Sequence, residues 1–483
     1  MEDDPAFIDK AMADFRERFV EASAQIRTAT SPEAFAACER QLHQLSKAVA
    51  DEVTTLALQA MCDDMDRVRT AAVEVRATAA SRGIRMISEG RRNTRVRLLG
   101  GRTVTIHASY LRAKPWAKAP LETRGKDGTG VYPVLDQLGI TDFATPALRL
   151  HVAHAVCEAN SVADARELMA QAGLDIDHKT ALRLTYAVTK VALSVRRVAV
   201  RQTTEGNPQG ELRGRRVVVC VDGGRTKIRK ALPGRPRKGG RRRFESDWRE
   251  PKVICVYALD DAGELDVRTR RVLDGTLGDA DATFDLMVYH LRHLGAHLAE
   301  QLILLADGAK WIWNRANDLV TRLGIDSDRV VQIVDHFHAA QRLHEFAKSR
   351  GWSEARQRRW VRKQKRRLKR GWVSRIVADI KPHLTGDEVK SGTQVAYWAR
   401  NLDRLRYRQF RKMRVPIGSG AVESAVRRVV NMRLKGPGIF WREDHAEGLI
   451  HLRAASKAGR WDELEGRVFA NSHWRPSSRR KVA

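Results

Sequence analysis

The feature that most constrains this chain is a short apolar run that ends in a carboxylate. Three segments share the pattern: residues 217–222 (VVVCVD), 303–307 (ILLAD) and 330–335 (VVQIVD). Such β-branched runs are typical of strands buried on both faces of a sheet. One strand-end aspartate usually caps the next helix. Three matched positions instead predict one sheet with Asp222, Asp307 and Asp335 along one edge, where parallel strands place their chemistry.

The charge of the chain indicates the class of partner. Its 483 residues contain 88 Lys and Arg against 58 Asp and Glu, a net charge of +30. This excess predicts binding to polyanions, nucleic acid first. An ordinary basic protein and a ribosomal or chromatin-like protein are the alternatives.

The cysteines and the hydropathy indicate the compartment. The five cysteines form no CxxC pair, and Cys220 and Cys255 lie within apolar strand patterns. We therefore expect buried thiols in a reducing compartment, with no disulfide or zinc framework. No 18-residue apolar run and no signal-peptide pattern occurs. These features predict a cytoplasmic, nucleoid-associated protein.

The first two segments are predicted to be helical and then β-structured. Residues 1–92 carry apolar positions at steps of three and four, with an N-cap at Ser31, which predicts a long helical hairpin. Its stripe also suits a coiled coil, so intramolecular packing and self-association both stay open. Residues 93–139 predict a β-hairpin over 94–107, followed by a linker rich in Lys, Gly and Pro.

Residues 140–205 predict a helix-turn-helix-like domain. Three helices are expected, and Asp177 is the predicted N-cap of the last. His178, Lys179 and Arg183 lie early on that helix, where DNA-binding domains of this type contact DNA. A plain helical linker domain is the alternative.

Residues 206–338 predict the first part of an α/β core. The order is three strands in an antiparallel meander, at 217–222, 252–259 and 266–273, then helix, strand, helix and strand. This is the order of an RNase H-like fold, in which the first and fourth strands are neighbours, so Asp222 would face Asp307. Residues 225–252 hold twelve basic and three acidic residues, which predicts an exposed loop. Its proposed DNA-binding residues are Arg241, Arg242 and Arg243.

A helical insertion is predicted over 339–412. Residues 356–370 contain ten Lys or Arg and no acid, with tryptophans nearby. The basic helix is either a solvated face or, as we favour, a surface that follows phosphates with aromatic stacking partners. Its proposed DNA-binding residues are Arg359, Arg362, Lys363, Arg366 and Arg367.

Residues 413–470 predict the last part of the core, and 471–483 a basic tail. Gly-Ser-Gly at 418–420 opens a helix with Glu423 in its first turn. An early glutamate often only compensates the helix dipole, but here it is the natural third carboxylate. The same helix brings three further residues proposed to bind DNA: Arg427, Arg433 and Lys435.

The converging carboxylates predict a metal site. Clustered carboxylates repel one another unless a cation neutralises them, and oxygen ligands suit Mg²⁺ or Mn²⁺. Two such ions, about 3.5–4 Å apart, can activate a hydroxyl and stabilise a leaving oxygen in phosphodiester displacement. Asp222, Asp307 and Glu423 are therefore the predicted metal ligands and catalytic residues.

Three sequence blocks carry a family resemblance. They are VDGG at 221–224, LADGAKWIW at 305–313 and IGSGAVES at 417–424, and the likeness continues through RLKGPGIFW at 433–441. The chain resembles bacterial insertion-sequence DDE transposases of the ISKra type over most of residues 130–465. The resemblance implies that Asp222, Asp307 and Glu423 bind two metal ions and that 339–412 is the insertion before the last catalytic helix.

Two further points come from the resemblance. The segment 335–338, DHFH, is similar to an Asp/Cys-x-x-His element of related transposases, which implies an auxiliary role for Asp335 and His338. Helix capping by Asp335 and packing of His338 are the alternatives. Relatives are also expected to carry a cysteine cluster near 110–130, and this chain has none there, so a zinc role is not carried over.

The sequence thus predicts a multidomain α+β chain. It would combine an all-helical N-terminal region, a helix-turn-helix-like domain and an RNase H-like core interrupted by a helical insertion. The expected function is cleavage of double-stranded DNA at the terminal inverted repeats and transfer of the 3′ ends to target DNA, by a homodimer or larger assembly. A nuclease without strand transfer, and a DNA-binding descendant without catalysis, are the alternatives.

Overall fold

The computed structural model describes residues 6–81, 83–113, 130–203, 205–234 and 243–471. The chain is a mixed α+β protein that divides into two compact units. The first unit comprises Met1–Val191 with Glu465–Ala483, and the second comprises Ala192–Leu464. Across the described ranges, no helix is long and apolar enough to cross a membrane.

The first unit begins with three helices. They are α1 (Ala6–Arg27), α2 (Pro32–Asp63) and α3 (Met65–Ala80). Ser31 caps α2 by accepting from the Ala34 amide, as predicted. The chain breaks at Asp64, whose carboxylate accepts from the Asp66 and Arg67 amides and so starts a new helix. The predicted long hairpin is therefore divided by a capping residue.

A β-hairpin follows the helices. Strands β1 (Met86–Arg97) and β2 (Thr103–Ala113) pair antiparallel, and the short β3 (Gly130–Val131) pairs with β2. The hairpin is confirmed, but it starts within the segment predicted to be helical. The polar residues Arg91–Asn93 and an irregularity in the register after Ser88 interrupt the alternation that marks a strand.

Four helices follow the hairpin. They are α4 (Pro133–Gln137), α5 (Pro146–Glu158), α6 (Val162–Gln171) and α7 (His178–Gln202). Leu148, Met169 and Leu184 lie in the core that α5, α6 and the start of α7 share. The predicted N-cap is confirmed, since the Asp177 carboxylate accepts from the Thr180 amide at 2.9 Å.

The second unit contains a five-stranded sheet. Its strands are β4 (Arg216–Gly223), β7 (Lys252–Leu259), β8 (Val272–Thr276), β9 (Gln301–Ala306) and β10 (Val330–Val334), in the order β10-β9-β4-β7-β8. β4, β7 and β8 are antiparallel, whereas β9 runs parallel to both β4 and β10. The predicted pairing of the first and fourth predicted strands, here β4 and β9, is confirmed.

Two predictions for this region are wrong. The predicted loop at 225–252 contains a two-stranded ribbon, β5 (Thr226–Ala231) and β6 (Phe244–Arg249). The strand predicted at 266–273 begins only at Val272, because the Asp266 carboxylate accepts from the Arg268 amide and forms a turn. Neither polar ribbon strand has the apolar content by which sequence marks a buried strand.

Helices complete this unit. Those between and after the last strands are α8 (Ala280–His293), α9 (Lys310–Leu323) and α10 (His336–Ser349). The insertion continues with α11 (Glu354–Lys369), α12 (Val373–Ile380), α13 (Gly386–Ser391), α14 (Thr393–Arg400) and α15 (Tyr407–Lys412). The chain then forms α16 (Gly420–Val426), a π-helical segment (Arg427–Asn431), α17 (Met432–Leu434), α18 (Glu443–Lys457) and α19 (Trp461–Phe469).

Candidate active site

Three aspartates lie at the ends of adjacent parallel strands, along one edge of the sheet. The strand register places Val221 opposite Ala306, and Ala306 opposite Val334. The next residue in each strand path is Asp222, Asp307 or Asp335. The predicted row of carboxylates along one sheet edge therefore follows from the register itself.

Backbone groups orient the first two aspartates. The Gly223 amide donates to Asp222 Oδ1 at 2.7 Å, and the Ala309 amide donates to Asp307 Oδ1 at 2.9 Å. A glycine is required at position 224 because of close packing and not because of a turn. A Cβ there would lie 2.8 Å from Val430 Cγ1, so the glycine allows the strand end to approach the helical segment that follows α16.

Glu423 reaches the same edge through a connection to Asp335. The Ser419 amide, just before α16, donates to Asp335 Oδ2 at 2.6 Å. Ser419 Oγ donates in turn to Glu423 Oε1 at 3.2 Å. The His336 amide also donates to the Ile417 carbonyl at 2.8 Å. The start of α16 is thus held against the end of β10, which fixes where the exposed Glu423 lies.

The carboxylates repel one another. Burial raises the pKa of Asp222, and the negative charges of Asp307 and Glu423 raise it further. The Gly223 amide and the His338 imidazole oppose that rise. Asp222 thus lies within electrostatic reach of the other two predicted ligands, and His338 offsets only part of the repulsion on its ionised form.

The pKa of Asp335 is lowered, unlike that of Asp222, although Asp335 is fully buried. Burial favours its neutral form, but hydrogen bonds from His338 and Ser419 outweigh burial and lower the pKa to about 2. Its Oδ1 accepts from the Phe337 and His338 amides at 2.5 and 3.1 Å. Asp335 is therefore a charged connector that caps α10 and holds α16.

His338 is cationic at neutral pH. Its interaction with Asp335 raises the pKa to about 9 against the effect of burial, and the charges of Asp222 and Asp307 contribute. Its Nδ1 lies 3.8 Å from Asp335 Oδ2. The imidazolium lies within electrostatic reach of Asp222 and Asp307, and its side chain is 34% exposed.

One set of potential metal ligands is geometrically tight. Ligand atoms of Asp335, His338 and Glu423 lie within 4.8 Å of one another. In the part of the chain that the structure describes, neither Asp222 nor Asp307 belongs to this group. A metal-bound histidine must be neutral, and both Asp335 oxygens already accept backbone hydrogen bonds. This group therefore suits a hydrogen-bonded connection better than a cation.

The helical insertion reaches the end of β9. A Cβ on Gly308 would lie 2.2 Å from Cε2 of the buried Tyr397, so the aromatic ring occupies the space above the glycine. Arg342 lies 4.1 Å from the centre of that ring. Trp313 Nε1 donates to the Asp307 carbonyl at 2.8 Å. These contacts explain the Gly and Trp that surround Asp307 in the sequence.

The π-helical segment lies directly after α16. Arg453, on α18, is 1% exposed, and its Nε donates to the Val429 carbonyl at 3.0 Å. Its Nη2 donates to the Arg428 carbonyl. A π segment leaves carbonyls out of the ordinary helical pattern, and Arg453 satisfies two of them. Sequence reasoning missed Arg453 and Tyr397 because their contacts are distant in the chain.

The proposed DNA-binding residues differ in their environments. Arg183 donates to the Asp142 carbonyl, and Lys363 and Arg367 pair with Asp379 at 2.8 Å. Arg433 is buried against the Trp441 ring, which argues against its predicted DNA contact. Arg241 and Arg242 lie outside the described residues. The following side chains are exposed: His178, Lys179, Arg243, Arg359, Arg362, Arg366, Arg427 and Lys435.

The tryptophans of the insertion contribute to its packing. The ring centres of Trp352 and Trp360 lie 5.7 Å apart, and Trp360 also packs on Phe346. Trp398 is 2% exposed, whereas Trp352, Trp360 and Trp372 are half-buried. The basic face of α11 is present, and burial argues against Trp398 as a stacking partner; stacking by the other three tryptophans stays a prediction.

A buried charged cluster surrounds Asp274 on β8. The Asp274 carboxylate accepts from Arg196 Nη1 at 2.8 Å, the Gly275 amide at 2.8 Å, and one ring nitrogen each of His290 and His451 at 3.0 Å. These donors lower the pKa of Asp274 well below its usual range despite complete burial. The cluster joins α7, α8 and α18 to β8.

No protein-family model, curated protein or solved structure matches this chain. The function of the chain is therefore inferred from the geometry of the site and from the charge of the chain.

Proposed function

We propose that the chain is a metal-dependent DNA transposase with an RNase H-like catalytic core. The carrying observation is the alignment of Asp222 and Asp307 at the ends of adjacent parallel strands, with Glu423 presented to them by α16. The sheet order and the net charge of +30 agree with this proposal.

The three carboxylates suit a divalent cation. The pKa of Asp222 is raised by burial and by Asp307 and Glu423, so a cation there would relieve a repulsion that His338 offsets only in part. Asp222, Asp307 and Glu423 would hold Mg²⁺ or Mn²⁺, two ions per site. When bound, the ions would supply activation of the attacking hydroxyl and stabilisation of the leaving oxygen.

The chain's own residues have separate tasks in this proposal. Asp335 holds α16 and so positions Glu423 through Ser419. The His338 imidazolium places a positive charge where a phosphate would approach the carboxylates. Exposed basic side chains such as Arg359, Arg362 and Arg366 on α11 would bind the DNA backbone. The partners would be the inverted repeats, the target DNA and a second copy of the chain.

A DNA cleavage assay tests the proposal. The purified protein is incubated with Mg²⁺ and DNA that spans the flanks of its own gene, beside Asp222→Asn and the exposed control Asp318→Asn. We expect nicks at the flank ends and joined products from the wild type and the control, and neither from Asp222→Asn. Cleavage without joined products would favour a nuclease. Binding without cleavage in Mg²⁺ or Mn²⁺ would favour a non-catalytic DNA-binding protein.

A further inference from the structure

A two-stranded ribbon leaves the sheet directly after Asp222. Its strands β5 and β6 pair from Thr226↔Arg249 to Ala231↔Phe244. Its base is fixed to the chain that follows Glu423, because Thr226 Oγ1 donates to the Leu434 carbonyl at 3.0 Å. Backbone hydrogen bonds also join Trp441 to Lys227 and Arg229, at 3.0 and 2.8 Å. The ribbon is therefore anchored beside the carboxylate row.

The two faces of this ribbon differ in chemistry. Successive side chains of a strand point to opposite faces. One face carries Lys227, Arg229, Ala231, Phe244, Ser246 and Trp248, and none of these six described residues is acidic. The acids of the ribbon lie on the other face, where Asp247 pairs with Lys230 at 3.3 Å. The first face, which we call the aromatic face, keeps its positive charge uncompensated by its own strands.

The aromatic face exposes rings that ordinary packing would cover. Trp248 is 54% exposed and Phe244 is 41% exposed. Lys227 Nζ lies 5.1 Å from the Trp248 ring centre and 5.5 Å from that of Phe440. Phe440 packs edge-on against Phe244 at 5.3 Å. The result is a row of rings with a cation between them, held on a backbone of fixed geometry.

We propose that the aromatic face binds unpaired nucleotides of a nucleic acid strand. Flat exposed rings stack on bases regardless of sequence, and nearby cations attract the phosphates between those bases. Charge complementarity selects this occupant, since residues 225–252 hold twelve basic and three acidic residues. The position of this nucleic acid strand on the protein rests on the proposed function, in which the bound nucleotides would flank the bond that is cut.

A binding measurement tests the stacking directly. The full chain carries Asp222→Asn to prevent cleavage, and fluorescence anisotropy reports its affinity for a short single strand of mixed sequence. We expect Trp248→Leu to weaken that affinity about tenfold and Trp248→Phe to restore most of it. Affinity for a blunt duplex should change less than about twofold.

Two matched comparisons separate stacking from charge. Removal of the bases from the strand should weaken binding of the parent protein, and Trp248→Leu should then have no additional effect. Lys227→Gln should weaken binding to the single strand, whereas Lys230→Gln, with the same charge change on the opposite face, should not. Melting temperatures equal to the parent's would show that each variant is folded.

Two results would overturn the inference. One is unchanged single-strand affinity in a folded Trp248→Leu variant. The other is a Trp248→Leu variant that changes the molecular mass in solution without changing affinity, which would make the face a contact between copies. Because no cleavage is needed, an inactive wild type with Trp248-dependent strand binding would reject the proposed function and retain this inference. Cleavage by the wild type, together with strand binding that does not depend on Trp248, would support the proposed function and reject this inference.

Discussion

Two substitutions of the same kind at the sheet edge should have opposite effects on stability. Asp335→Asn and Asp222→Asn both replace a strand-end carboxylate by an amide of equal size. Asp335 is ionised and fully hydrogen-bonded, with a pKa of about 2. Asp222 has a raised pKa because of burial and its two acidic neighbours. We therefore expect the first change to destabilise the metal-free protein and the second to leave it unchanged or more stable.

The magnitude for Asp335→Asn follows from its contacts. Amide donors face both carboxylate oxygens, from Phe337 and His338 on one side and from Ser419 on the other. In either orientation the asparagine NH₂ group must face a donor, and at least one backbone amide loses its acceptor, at about 1–3 kcal/mol. The lowered pKa gives a second value for the stabilisation by the ionised Asp335 carboxylate: a shift from 3.8 to about 2 corresponds to about 2 kcal/mol.

The stability that the Asp335 carboxylate contributes should decrease at low pH. A folded-state pKa below the unfolded value stabilises the protein above that unfolded value, and the stabilisation disappears as pH falls through the folded pKa. The difference between wild type and Asp335→Asn should thus be complete at pH 7 and should shrink as pH falls from 3.8 toward about 2. For Asp222→Asn no such loss is expected.

Hydrogen exchange measures the effect locally. Because the chain has two compact units, the free energy of opening should be taken from amides of β9 and β10 rather than from one global transition. We expect Asp335→Asn to lower it by about 2 kcal/mol at pH 7 without metal. Equal destabilisation by Asp222→Asn, or none by Asp335→Asn, would refute the distinction between connector and ligand.

Two further substitutions test the surroundings of the site. Asp274→Ala removes the acceptor of four buried donors, including Arg196, and should lower the free energy of opening of β8 in hydrogen exchange by about 3–5 kcal/mol. The control Asp279→Ala removes only the N-cap of α8 and should lower the stability by about 1 kcal/mol. Gly308→Ala places a methyl group against the Tyr397 ring and should cost about 1–3 kcal/mol in urea unfolding. Tyr397→Leu in the same chain should relieve that cost, whereas Tyr397→Phe, which keeps the ring, should not; equal costs in all three backgrounds would contradict the steric argument.

The sequence predicts the sheet edge well because its signal is local. Each of the strands β4, β9 and β10 is an apolar run, and the residue after the run is the aspartate. Once the strands pair in register, the carboxylates align without further information. The predicted helix start near Ser419 is also confirmed. It could be predicted because glycines flank Ser419 and the apolar pattern begins there.

Other parts depend on contacts that the sequence does not mark. The ribbon β5–β6 consists mainly of polar and aromatic residues, and only Thr226 and Ile228 at its base are buried, so its pattern resembles that of a loop. Tyr397 and Arg453 act on Gly308 and on the π-helical segment from distant helices. Trp398 was expected beside a basic surface, but its ring is 2% exposed, and its burial stabilises the helices of the insertion.

Mn²⁺ binding tests the central claim most directly, since an electron paramagnetic resonance titration counts bound ions without requiring activity. We predict that the wild type binds two ions and that Asp222→Asn, Asp307→Asn and Glu423→Gln each weaken binding, whereas His338→Gln retains it. Retained binding in Asp222→Asn and Asp307→Asn, with loss in His338→Gln, would contradict the account and place the cation in the Asp335, His338 and Glu423 group.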